Sequence, residues 1–82
     1  MQVTVVCFGA MREFLPDDAT GNSAGLEIAD GGTVGDLVDR IGAPRRLVYA
    51  LLVNEDPSGL DRELRTGDKV TLMPQFTGGS GR

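Results

Sequence analysis

Residues 33–44, which read TVGDLVDRIGAP, contain the clearest signal for regular structure in the chain. Apolar side chains recur there at the i, i+3, i+4 and i+7 positions that form one stripe along an α-helix. Thr33 can cap the first turn, with Asp36 as the acid of a capping box, and Gly42 is typical of the residue after a last turn. The stretch therefore predicts a helix over residues 33–41 with one buried face, formed by Val34, Leu37, Val38 and Ile41.

Strand patterns flank this helix on both sides. β-Branched or continuously apolar residues predict strands at Gln2–Phe8, Leu26–Ile28, Leu51–Val53 and Lys69–Met73. The third of these is apolar throughout, which predicts a strand covered on both faces. Helical turns are expected at residues 11–14 and 44–48, a small strand or turn at 60–64, and loops at 17–25 and 54–59. One helix on one face of a mixed sheet is an α+β domain.

The first predicted strand has two different faces. Val3, Val5 and Cys7 share one face by the period of two, whereas Val6 and Phe8 lie on the other. We expect Cys7 in the core, where a thiol behaves as an inert small hydrophobe. If the helix covers the Cys7 face, Val6 and Phe8 remain on an uncovered face. The alternative is that Phe8 folds into the core beneath a loop.

Composition excludes several classes of function. The 82 residues suffice for one domain, the net charge is −4 and histidine is absent. Without histidine and with a single thiol, the chain lacks the residues of most hydrolytic and zinc sites, so we expect no enzyme and no metal. The acidic charge argues against nucleic-acid binding. Because no apolar run is long enough for a membrane helix and no signal peptide is evident, a cytoplasmic protein is expected.

The C-terminal third carries a more specific pattern. The segment Leu64–Gly79 reads LRTGDKVTLMPQFTGG and resembles the L-x-D-G-D-x-V-x-x-x-P-P-x-x-G-G ending of the ubiquitin-like sulfur carriers. These are the small subunit of molybdopterin synthase and the sulfur carrier of the thiamine pathway. The opening Val3–Glu13 and the triplet Leu52–Asn54 resemble the molybdopterin-synthase branch in particular.

This resemblance implies a ubiquitin-like β-grasp fold with the first and last strands adjacent at the sheet centre. The β-grasp domain would span residues 1–74, and residues 75–82 would form a flexible tail. A ubiquitin-activating-like adenylyltransferase would use ATP to adenylate the carboxylate of Gly79, and a sulfur donor would convert it to a thiocarboxylate. Gly78 and Thr77 would thread the channel of that enzyme, since glycine presents no side chain there.

The resemblance also implies partners that this chain must contact. The sulfur would pass to an accepting enzyme such as the molybdopterin synthase large subunit. ATP would be bound by the activating enzyme, and no cofactor by this chain. Phe8 and Met73, on the uncovered sheet face, and Phe76 in the tail are the expected docking residues. Arg12 and Glu13 are expected to form either a further partner contact or a surface ion pair.

Two departures from the family pattern bear on this expectation. Gln75 replaces the second proline, and residues 80–82 follow the second glycine, so its carboxylate is locked in the Gly79–Ser80 peptide bond. Either a protease cleaves that bond, or the extension is foreign to the natural chain, or the protein is not a carrier. The rival functions are a carrier for thiamine, cysteine or secondary-metabolite synthesis, a ubiquitin-like modifier attached through Gly79, and an interaction module with an inert tail.

Overall fold

A computed structural model of the chain describes residues 1–75. In chain order the elements are β1 (Gln2–Cys7), β2 (Ser23–Glu27), α1 (Val34–Arg40), β3 (Val48–Val53), β4 (Asp56–Pro57) and β5 (Lys69–Pro74). Two short 3-10 helices, Gly9–Phe14 and Arg45–Leu47, confirm the expected helical turns. None of the helices in this part of the chain is both long and apolar enough to cross a membrane.

The five strands form one mixed sheet in the order β2-β1-β5-β3-β4. β1 and β5 are parallel, and every other neighbouring pair is antiparallel. The first and last strands are therefore adjacent, and β5 has a partner on each side. This is the sheet arrangement that the resemblance implied, with a single α-helix in residues 1–75 packed on one face.

Helix α1 begins at the predicted capping box. The amide of Asp36 donates to the Thr33 hydroxyl at 3.2 Å, and the Thr33 amide donates to an Asp36 carboxylate oxygen at 2.9 Å. Gly35, unexplained by the sequence, lies under the Arg45 guanidinium. A Cβ at this position would stand 2.9 Å from an Arg45 nitrogen and 3.2 Å from the Leu60 carbonyl oxygen. The close approach of a loop to the first turn therefore requires the glycine.

The core lies between α1 and one face of the sheet. Helix side chains Val34, Leu37 and Val38 are fully buried against inward-facing strand residues. The strand residues in this cluster are Val3, Val5, Cys7, Ala24, Leu51, Val53, Val70 and Leu72. The predicted face of β1 is thus confirmed, as is the predicted stripe of α1, except that Ile41 comes just after the helix and is half-buried.

Three strand predictions differ from the structure. β2 begins at Ser23 rather than Leu26, because residues 23–27 pair along the whole edge of β1 despite their weak strand propensity. β4 forms within the expected loop by pairing with the end of β3. β3 is not covered on both faces: Leu51 and Val53 are buried, whereas Leu52 is half-buried on the opposite face.

A tight turn joins β3 to β4 and is tied to the start of β5. Asn54 and Glu55 both have positive φ, 52° and 73°, as a two-residue hairpin turn requires. The Asn54 side-chain amide donates to Asp68 at 2.9 Å, and its carbonyl oxygen accepts the Lys69 amide at 3.0 Å. The other Asp68 oxygen accepts the Arg65 amide at 2.9 Å. Asn54 and Asp68, two residues of the family-like motifs, thus have a structural role.

Replacing Asp68 with asparagine is expected to remove a pH-dependent part of the stability. The hydrogen bond from the Arg65 amide, followed by that from Asn54, lowers the pKa of Asp68. A lowered pKa stabilises the fold above the ordinary value of about 4, and this contribution is lost as pH falls through the folded-state pKa. Asp68→Asn should cost about 1 kcal/mol at neutral pH, since asparagine keeps only one acceptor oxygen and leaves either the Asn54 side-chain amide or the Arg65 amide without its partner.

The measurement is urea unfolding of both proteins at several pH values between about 7 and 2. The difference in unfolding free energy should shrink towards the acid end, because only the wild type loses the carboxylate contribution. A difference that stays constant across this range would show that Asp68 contributes nothing through its charge.

Candidate docking and transfer site

The face of the sheet opposite α1 has no covering helix in the described part of the chain. We call it the open face. Side chains on β1 and β5 that point away from the core share this face. They form two cross-strand pairs, Thr4 with Lys69 and Val6 with Thr71. On the other side of β5, Leu52 of β3 pairs with Thr71 and extends this face.

The two ends of the open face differ in polarity. The end where β5 begins carries Thr4 and Lys69, and the Lys69 ammonium lies 3.4 Å from the Glu55 carboxylate. The end where β5 finishes is apolar. Five residues there form what we call the open-face patch: Val6, Phe8, Ala50, Leu52 and Met73. All five are half-buried or exposed, so apolar surface is concentrated at one end of the sheet.

Phe8 is the most exposed member of the patch, with 44% of its surface accessible. Its amide donates to the Leu72 carbonyl oxygen at 3.1 Å, which extends the β1–β5 pairing by one residue and keeps Phe8 in the alternation of β1. The expected position on the uncovered face is therefore where the side chain lies, and the alternative of a buried Phe8 is wrong. Leu47 and Tyr49 are the other large apolar or aromatic residues exposed within residues 1–75.

The turn after Phe8 packs against the end of β5. Gly9 has φ +56°, and a Cβ there would lie 3.1 Å from Pro74 Cγ. Both the backbone conformation and the contact favour glycine at this position. The contact fixes the point at which the chain leaves β5 beside the open-face patch.

Thr71 lies at the centre of the open face, where neighbouring side chains cover it. The alternation of β5 puts Thr71 on the open face with Met73, yet Thr71 is only 7% exposed. Its neighbours across the two flanking strands are Val6 and Leu52, whose larger side chains cover the short threonine. Met73, one row further along, pairs with Ala50 and is half-buried.

Sequence reasoning missed Ala50 and Leu52 as members of the patch. A register shift between Val48 and Ala50 inserts Tyr49 as an extra residue opposite the end of β5. From Ala50 to Val53 the register is regular, so Ala50 and Leu52 share the face opposite Leu51 and Val53. Ala50 was missed because the predicted strand began at Leu51, whereas β3 begins at Val48. Leu52 was hidden in a continuous apolar run, which fits a strand covered on one face or on both.

The expected transfer residues lie outside the described residues. Phe76, Thr77, Gly78, Gly79 and Ser80 all follow Gln75, the last described residue, which comes directly after β5. The open-face patch and the start of the C-terminal segment are therefore at the same end of the sheet.

Charged residues surround this end. Arg12 and Glu13 are exposed and form no ion pair with each other within residues 1–75. Arg46 is exposed at the start of β3. The neighbouring Arg45 donates two hydrogen bonds to Asp39, at 2.9 and 3.1 Å, and these hold the pKa of Asp39 below its ordinary value.

Cys7 is fully buried beneath the sheet, as the sequence predicted. Burial raises the pKa of its thiol, so the group stays protonated at neutral pH. A buried, protonated thiol is neither exposed nor nucleophilic. Any sulfur chemistry of this protein must therefore use another group.

Solved structures of three other proteins are among those that share this fold. SAMP1, a small archaeal modifier protein of Haloferax volcanii, is 22% identical with a TM-score of 0.72, covering 96% of this chain and 100% of that chain. The Haloferax volcanii protein HVO 2177 is 24% identical with a TM-score of 0.74, and the match covers 96% of this chain and 87% of that chain. A Pyrococcus furiosus protein assigned as molybdopterin converting factor subunit 1 is 24% identical with a TM-score of 0.67, covering 92% and 98%.

These structural comparisons confirm the ubiquitin-like β-grasp fold that the C-terminal motif implied. No curated protein matches the chain in sequence. The Mut7-C ubiquitin family matches residues 1–79, a range that takes in all five strands, the helix and both terminal glycines of the motif. The chain therefore belongs to the Mut7-C ubiquitin family of ubiquitin-like domains.

Proposed function

We propose that the protein is a sulfur carrier whose working group is the C-terminal carboxylate of Gly79. The observation that carries the proposal is the point where the central strand β5 ends. β5 ends at Pro74, two residues before the F-T-G-G sequence begins, at the end of the sheet where the open-face patch lies. A partner that docks on this patch thus receives the C-terminal segment beside its own docking surface.

The chemistry requires activation by a partner. A carboxylate becomes an acyl donor only when it carries a leaving group, so the activating enzyme transfers AMP from ATP to Gly79 and releases pyrophosphate. A sulfur donor then displaces AMP and leaves a thiocarboxylate. Residues 75–79 span at most about 17 Å when extended, which is enough to enter a narrow active site while the domain stays outside.

The expected partners are an adenylyltransferase of the ubiquitin-activating type, a sulfur donor and a sulfur-accepting enzyme. The molybdopterin synthase large subunit is the preferred acceptor, a choice supported by the motif resemblance and by the fold shared with the Pyrococcus furiosus converting factor. Carriage of sulfur for thiamine, cysteine or a secondary metabolite uses the same chemistry on Gly79. In all these cases the carboxylate of Gly79 must be free, so a protease must first cleave the Gly79–Ser80 bond unless the extension is foreign to the natural chain.

A second candidate is a protein modifier joined to target lysines through Gly79. The fold shared with SAMP1, whose name describes a modifier, favours this candidate. It uses the same activated glycine, but the acceptor is an amine rather than sulfur.

Intact-mass spectrometry of the untagged protein from its native host tests the proposal. We expect a species that ends at Gly79, with sulfur in place of one carboxylate oxygen in part of the population. Covalent adducts of higher mass, linked from Gly79 to lysine, would favour the modifier. If every molecule ends at Arg82 and is unmodified while sulfur-dependent pathways are active, the proposed function is wrong.

A further inference from the structure

The chain is almost free of primary amines. Lys69 is its single lysine, and the other seven of its eight basic residues are arginines. Amines matter because an activated glycine acylates them. The amine nitrogen forms an amide bond to the carbonyl carbon, the bond from that carbon to AMP or to a thiol breaks, and a proton passes to solvent. A carrier that acylated its own lysine would lose its working group to a stable internal amide.

The two amines in the structure lie at the end of the sheet opposite the C-terminal segment. Lys69 begins β5 and Pro74 ends it, so about 17 Å of strand separates them at 3.3–3.4 Å per residue. The Met1 amine precedes β1, which runs parallel to β5, so it lies at the same far end. Residues 75–79 span about 17 Å at most. Reaching Lys69 would therefore require the segment to reverse at Pro74 and run back along most of β5 towards the lysine side chain.

A carboxylate also holds each amine. The Lys69 ammonium pairs with Glu55 at 3.4 Å. The Met1 ammonium donates to Glu27 at 2.8 Å and to the Ile28 carbonyl at 2.6 Å, and the Glu27 hydrogen bond raises the pKa of this ammonium. A protonated amine has no lone pair with which to attack a carbonyl carbon.

The end of the sheet where the C-terminal segment begins carries arginines. A lysine at these positions would be within reach of that segment. Arg46 is two residues before Val48, the cross-strand partner of Pro74. Arg12 comes one turn of 3-10 helix after Gly9, which packs on Pro74. Both side chains are exposed. A guanidinium stays charged in proteins and offers no free amine, so it is not acylated.

We propose that the exclusion of amines from the end of the sheet where the C-terminal segment begins directs an activated Gly79 to its partners instead of the chain's own lysine. Arg12 and Arg46 are the specificity-determining positions: they supply positive charge, without a nucleophile, at the end of the sheet where β5 finishes. The inference rests on the proposed function, because avoiding acylation of the chain's own lysine matters only if Gly79 is activated.

The test uses a chain ending at Gly79 that is prepared as a C-terminal thioester, so no activating enzyme is needed. The described fold lies within residues 1–75, so this ending leaves it intact. The variants are Arg12→Lys and Arg46→Lys, and the matched control is Arg65→Lys, the same change in an exposed residue near Lys69. Intact-mass spectrometry at mildly alkaline pH separates the hydrolysed acid from the internal amide, which is lighter by one water.

For the wild type and Arg65→Lys we expect hydrolysis with little internal amide. For Arg12→Lys or Arg46→Lys we expect at least about tenfold more internal amide than for the wild type. Peptide mapping should place the amide at the new lysine. Rapid internal amide formation at Lys69 in the wild type would overturn the inference, as would its absence from both variants. Because the thioester is made chemically, failure of Gly79 to be adenylated in the host would count against the proposed function alone.

Discussion

A chain that ends at Gly78 is expected to accept no sulfur, although it still ends in a glycine carboxylate. The loss of Gly79 shortens the reach of the tail by about 3.5 Å. Misplacement of a reacting group by as little as 1 Å can cost about 100-fold in rate, so at least that loss is expected in adenylation by the activating enzyme. The measurement is a single-turnover assay of thiocarboxylate formation with purified activating enzyme, ATP and sulfur donor.

The chain that ends at Gly79 is the positive control for this experiment, and the full chain ending at Arg82 is the negative control. The full chain has the same two glycines but no free carboxylate on Gly79. All three proteins should have the same unfolding midpoint, because the changes lie outside residues 1–75. Sulfur transfer at equal rates to the chains ending at Gly78 and Gly79 would show that the position of the terminal carboxylate does not matter.

Phe8→Arg is expected to weaken binding to the sulfur-accepting enzyme by at least about 2 kcal/mol, or roughly 30-fold in Kd. Phe8 is the most exposed member of the open-face patch, so arginine would place a charge in the apolar contact that docking buries. The fold should tolerate the change, since 44% of the phenylalanine surface already faces solvent. Isothermal titration calorimetry with the purified partner measures the loss.

Thr4→Arg is the matched control for this prediction. It introduces the same charge on the same strand and the same face, about 13 Å from Phe8 at the polar end. We expect it to change the affinity by less than about 0.5 kcal/mol, as is usual for a surface site outside a contact. Equal losses for the two variants would place the docking surface elsewhere or attribute both effects to charge alone.

The parts of the fold that could be predicted are those that local sequence determines. Helix α1 was predicted within one residue at each end because period, cap and terminal glycine all agree over the same residues. The start of β2 was not predicted, because Ser23 to Gly25 favour a turn and become a strand only by pairing with β1. The conformation of such a segment depends on pairing with a strand distant in sequence, and local composition does not reveal that pairing.

The same distinction applies to the candidate site. The position of Phe8 on the uncovered face followed from the alternation of β1, since its inward neighbours are clearly apolar. Ala50 was not placed, because the apolar run that predicts the strand begins at Leu51, whereas β3 begins at Val48. The turn at Asn54 and Glu55 lies within the predicted loop, but its two-residue form was hidden, since neither residue is the glycine that usually indicates positive φ.

The position of β5 between two partner strands also determines how the domain bears a mechanical load. A pull on the C-terminal segment acts along β5, and the hydrogen bonds to β1 and β3 lie across that direction. Both ladders are therefore sheared as a whole instead of opening one bond at a time. Under the proposed function, an enzyme that draws Gly79 into its active site would load both ladders at once, and the strand would resist extraction while the domain remains folded.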